Sequence, residues 1–178
     1  MDAAEHDQVS EVAEKLAARA DAAGINGLSI SEQVIVRAWA AAGIISNGGF
    51  RHFYEGATDI VAVADAFETL GLPEAAEACR ASKECFPMAV LAAGHEQTRE
   101  WMARLDEAKL DDFFGPLDDI LWRLNDNDRL AHALALFIYE DEEERWDQQI
   151  ARDAEAGRFN ALIEQAKQDV AMGRGTLL

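Results

Sequence analysis

Thirty-four alanines outnumber valine, isoleucine and threonine together, which come to twenty-two, and only three prolines interrupt the 178 residues. Alanine gives up no side-chain entropy in a helix, whereas the β-branched residues that fill strands are scarce, so the chain is expected to be all-α. Apolar residues then recur at helical spacing. Val9, Val12, Leu16 and Ala20 mark a first helix over about 2–22, and Val34, Ile35, Ala38, Trp39, Ala42 and Ile45 give a second one a broad apolar stripe. Ser29 and Glu32 stand at capping-box spacing before it, and Ser46-Asn47-Gly48-Gly49 ends it. Further helices are expected over about 50–56, 60–70, 74–86, 88–105 (broken or kinked at Gly94), 117–124 and 128–147. A last one over about 148–172 carries Phe159, Leu162, Ile163, Ala166 and Val170. The reading is a single multi-helix bundle of about eight helices, with Trp39, Phe50, Phe53, Phe67, Leu134 and Phe137 in one core. Residues 1–147 form the core domain and 148–178 a C-terminal helical extension packed on it or trailing it.

Thirty-four acids against sixteen lysines and arginines leave a formal charge of -18, a surface that repels phosphate backbones and anionic headgroups. Direct binding to nucleic acid or membrane is therefore not expected. No run approaches the ~18 apolar residues of a membrane span, and Met1-Asp2-Ala3-Ala4-Glu5 has no basic leader, so the expected location is the cytoplasm. Cys79 and Cys85, read as lying in one helix, would point about 240° apart, which forbids a disulfide, and no second pair completes a zinc site. Asp126-Asn127-Asp128 begins like a calcium loop but has Ala131 where the glycine is needed, so a helix cap is expected there. Neither a nucleophile elbow nor a phosphate loop is present, and no catalytic residue, metal or cofactor is called for. The pairs Asp111/Asp112 and Asp118/Asp119 could do acid–base work only in a cleft.

The most specific local pattern is Asn47-Gly48-Gly49-Phe50-Arg51-His52-Phe53-Tyr54. Two glycines after an asparagine can take positive φ and reverse the chain between helices, while Phe50 and Phe53, three apart, land on one face and plug the junction. On this reading Gly49→Val costs at least ~1 kcal/mol. A second reading stays open, in which exposed N–H groups of the turn and His52 hold a small anion. The octapeptide resembles the N-G-G-F-x-x-F/Y-F/Y signature of a bacterial family long catalogued as a domain of unknown function, the DNA-mimic-protein (DMP-like) family. The resemblance runs firmly over 31–87 and more loosely through Leu117-Asp118-Asp119 to Phe137-Ile138-Tyr139. It departs at Ile44-Ile45-Ser46, where relatives often carry an acid, and in the shortened Glu55-Gly56-Ala57 loop. What the resemblance implies is an all-helical fold, no known enzyme activity, and for at least one relative a partner that normally binds DNA.

Charge is concentrated in residues 106–147, where fourteen acids face four cations, giving -10 of the total -18. Carboxylates three or four apart on a helix lie roughly 5–6 Å from one another, of the same order as neighbouring phosphates, and such like-charged pairs cost about 0.2–0.5 kcal/mol each. Glu140, Asp141, Glu143, Glu144 and Asp147 are therefore the candidate partner-binding face, helped by Asp118 and Asp119. Together with the resemblance they point to an acidic module that occupies the basic surface of a protein such as a DNA-binding transcription factor. The alternatives kept open are an enzyme or small-ligand receptor using the Asn-Gly-Gly turn, an acidic immunity-like or scaffold protein, and self-association as a homodimer.

Overall fold

Helix-favouring composition becomes eight α-helices and two short 3-10 turns, with no strand among the described residues. The computed structural model describes residues 3–56 and 58–155. The helices are α1 (Ala3–Ala23), α2 (Ile30–Glu55), α3 (Ile60–Thr69), α4 (Pro73–Ser82), α5 (Met88–Ala93), α6 (His95–Met102), α7 (Glu107–Asp126) and α8 (Arg129–Glu155). Their starts follow local chemistry. Ser29 Oγ accepts from Glu32 N–H at 3.2 Å while Glu32 Oε2 accepts from Ser29 N–H at 2.8 Å, closing the expected capping box. Asp59 caps α3 through the N–H groups of Val61 and Ala62, Pro73 opens α4, and Asp106 caps α7 through Ala108 N–H.

The chain divides into two compact units, residues 1–137 and 138–178, with α8 running through the division. In the first, α2 is the central element and packs against α1, α3, α6 and α7, while α4 packs against α3 and α7. Ile45, Phe50, Phe53, Val63, Phe67, Cys79, Phe114, Leu121 and Leu134 are among its fully buried side chains. Two residues expected in that core, Trp39 and Phe137, are only half-buried. In the second unit the described part is the rest of α8. Residues 156–178, with the apolar positions expected of a last helix, lie outside the described residues.

Three boundaries differ from the sequence expectation. Helix α7 starts at Glu107 rather than near 117 and passes through Pro116. The proline forfeits one backbone donor, but its position is exposed, and Leu110, Phe114, Leu121 and Leu124 form a buried stripe on both sides of it. Helix α8 shows no break at 147–148; nothing between 129 and 155 is a glycine or proline. Cys79 lies in α4 but Cys85 in the following 3-10 turn, so they do not share a helix; both thiols are free, and burial pushes that of Cys79 up to about 12. The break at Gly94, with φ 102, separates α5 from α6 as expected. No helix among the described residues is long and apolar enough to cross a membrane.

Candidate functional site

The Asn-Gly-Gly sequence kinks α2 into segments 30–47 and 50–55, and one glycine of the pair supplies the unusual backbone. Gly49 has φ 69 and ψ -174, a region essentially closed to L-residues, whereas Gly48 has φ -164, which any residue can adopt. Gly48 is required for space: a Cβ there would lie 2.7 Å from His52 Cβ. Asn47 Nδ2 donates to Gly43 C=O at 2.9 Å, satisfying a carbonyl one turn back.

A kink leaves the new segment's first amides without intrahelical acceptors. Helix α7 provides one. Asp118 Oδ1 accepts from Phe50 N–H at 2.7 Å in a buried setting, a cap supplied by another helix, and the same carboxylate lies against Gly49 so closely that a Cβ there would be 2.8 Å from its Cγ. One turn on, Trp122 Nε1 donates to Ile45 C=O at 3.1 Å, and Asn125 Nδ2 donates to Ser46 Oγ. Ser46 thus holds its place in the junction by a bond to α7. Phe50 then packs against Phe53 and Phe114, and Tyr54 against Phe86, so the kink is sealed by aromatic rings. The Tyr54 hydroxyl meets Ser82 Oγ at 2.8 Å.

This arrangement corrects one expectation. Asp118 is not part of an exposed acidic face: it is buried, its carboxylate is committed to the turn, and burial raises its pKa, with Phe50 N–H opposing and Asp119 and Asp111 adding to the rise. His52 is exposed, and its Nδ1 lies 3.2 Å from Glu55 Oε2. The sequence reading missed Asp118 as the capping residue because the two partners are 68 positions apart.

The remaining candidates fall on two elements. Asp119 is exposed on α7, where its carbonyl accepts from Arg123 Nε at 3.0 Å. On α8, Glu140, Glu143 and Asp147 are exposed and Asp141 is half-buried; the side chain of Glu144 lies outside the described ones. At 100° per residue the exposed acids occupy one narrow stripe, and Leu136, Tyr139, Trp146 and Ile150, all more than two-fifths exposed, lie beside it within a common arc of about 120°. Leu130, Leu134 and Ile138 occupy the opposite, buried side. The apolar stripe went unread because the acids around it dominate the segment, although Tyr139 and Trp146 stand seven apart with Ile150 four further on.

The fold and the kink define an all-α protein whose central helix is broken by an Asn-Gly-Gly turn and clamped by a carboxylate from a neighbouring helix. The chain belongs to the DMP19-like protein family, whose sequence profile matches residues 26–142, well over half of its length and inclusive of the turn, the Asp118 clamp and the first acids of α8. No curated protein and no solved structure matches it.

Proposed function

We propose that this protein is an acidic protein-binding module that acts as a DNA mimic, occupying the basic surface with which a DNA-binding protein holds its DNA. The observation that carries the reading is the face of α8. Glu140, Glu143 and Asp147 project as an exposed ladder three and four residues apart, about 4.5 and 6 Å along the axis. Membership of the DMP19-like family supports the same reading. Four acids elsewhere are matched by arginines: Arg19 pairs with Glu32, Arg51 with Glu107, Arg80 with Glu68 and Arg129 with Glu74. The apolar residues beside the ladder support a protein partner over a simple counter-ion cloud, because aromatic side chains provide desolvated anchoring area that charge alone does not.

Such a complex forms quickly through long-range attraction and loosens as salt shortens the Debye length from about 10 Å at 0.1 M to about 3 Å at 1 M. The test is affinity capture from native lysate at low salt, with parent and Glu140→Gln/Glu143→Gln/Asp147→Asn baits side by side. A basic DNA-binding protein retained by the parent, released by salt and depleted on the variant is the expected result. A partner retained equally by both baits, or indifferent to salt, overturns the reading.

A further inference from the structure

A cavity of about 300 Å³ opens beside the Asn-Gly-Gly turn, lined by residues of α1, α2 and the junction between α7 and α8. Its apolar wall includes Trp39, half-buried, whose ring lies 6.1 Å from that of His6. Asn47 donates one Nδ2 hydrogen to Gly43 C=O and Asn125 donates one to Ser46 Oγ, so each amide keeps an unpartnered Oδ1 beside a second N–H. Ser46 Oγ already accepts a bond.

Asp128 completes the wall with a full negative charge. It is held at φ 55, with its N–H on Asn125 C=O at 3.0 Å and its own C=O accepting from His132 N–H at 2.9 Å. Its exposed carboxylate makes no hydrogen bond or ion pair among the described residues, and the adjacent cation, Arg129, is drawn to Glu74 at 3.4 Å. The wall combines apolar surface with hydrogen-bond donors and acceptors, and the unpaired carboxylate of Asp128 sets the sign of charge it favours. That carboxylate repels anions and attracts cations.

We propose that this cavity binds a small organic cation, an alkylammonium or alkylguanidinium, with its charged head on Asp128 and the asparagine oxygens and its carbon stem against Trp39. The carboxylate attracts the charged head while the indole gives the stem apolar contact area. The proposal is independent of the protein-binding reading, since Glu140, Glu143 and Asp147 do not line the cavity.

Calorimetric titration of the full chain with n-butylguanidinium and n-butylamine, and with the neutral isostere n-butylurea, tests it. The expected result is saturable one-to-one binding of at least one cation, with butylurea at least about tenfold weaker, as a charged hydrogen bond implies. Asp128→Asn should weaken the cation at least about tenfold as well; asparagine tolerates positive φ, so the fold is expected to persist. Trp39→Leu should weaken it too, and Glu140→Gln/Glu143→Gln/Asp147→Asn should leave it unchanged. Absence of saturable binding at millimolar concentration, equal binding of butylurea, or full binding by Asp128→Asn overturns the proposal. Loss of binding in the α8 variant also overturns it, because the cation would then be reporting general attraction to an acidic surface.

Discussion

Substituting Gly49 by alanine tests the clamp. The backbone there sits at φ 69 and ψ -174, and holding an L-residue in that region costs about 1–3 kcal/mol. The new Cβ would also meet the Asp118 carboxylate, 2.8 Å from Cγ and 3.0 Å from Oδ1. That carboxylate cannot yield cheaply, because moving it breaks the 2.7 Å bond to Phe50 N–H and leaves a buried amide unpartnered, at about 1–3 kcal/mol. Gly49→Ala is therefore expected to lose about 3–5 kcal/mol in urea unfolding monitored by circular dichroism, a large share of a domain's usual stability. Two control substitutions separate the causes. Gly71 has φ 69 with nothing within 4 Å of its added Cβ, so Gly71→Ala shows the backbone cost alone, about 1–2 kcal/mol. Gly43 is helical and open, so Gly43→Ala should be neutral or stabilising by up to ~1 kcal/mol. If Gly49→Ala unfolds no more readily than Gly71→Ala, the carboxylate does not grip the turn and the clamp is wrong.

Further outcomes follow from the same geometry. Burial holds the Asp118 carboxyl above its ordinary range, so its contribution is complete below an unfolded pKa near 4 and is lost as pH rises through the higher folded value. Asp118→Asn, which keeps an acceptor for Phe50 N–H, should thus gain stability relative to the parent as pH climbs from about 4 towards neutrality; a flat difference across that range contradicts the assignment. Ser82 Oγ donates to Cys79 C=O at 2.7 Å, which makes the Tyr54 hydroxyl the donor of the 2.8 Å contact between them. Tyr54→Phe is expected to cost about 0.5–1.5 kcal/mol in the same unfolding assay, and Ser82→Ala more, about 1–3 kcal/mol, because it leaves a buried hydroxyl unpartnered.

Much of the fold was legible because it is written in short-range patterns. The Ser29–Glu32 box, the stop before Pro73, the break at Gly94 and the stripe from Val34 to Ile45 all involve residues within a few turns of one another, where spacing alone fixes which face meets which. Pro116 misled the reading of α7, because the cost of a proline inside a helix was outweighed by a buried stripe whose partners lie in α2 and α4. The turn itself was recognised as a packing device, but its keystone was not. Adjacent Asp118 and Asp119 look alike in a chain this acidic, and only tertiary structure separates the first, buried on Phe50 N–H, from the second, exposed on the same helix. The cavity beside the turn was not legible, because its lining comes from α1, α2 and the junction of α7 with α8, far apart in sequence.

The most direct measurement of the central claim is competition at the captured partner. A fluorescently labelled duplex bound to that protein is titrated with this one at 0.1 M salt while anisotropy is followed. The account predicts that the parent displaces the duplex completely and that Glu140→Gln/Glu143→Gln/Asp147→Asn, still fully helical, does so at least about tenfold less effectively, as the loss of three charges at a partly desolvated surface implies. A ternary complex in which the duplex stays bound, or displacement by the variant at the parent's concentration, contradicts mimicry through α8.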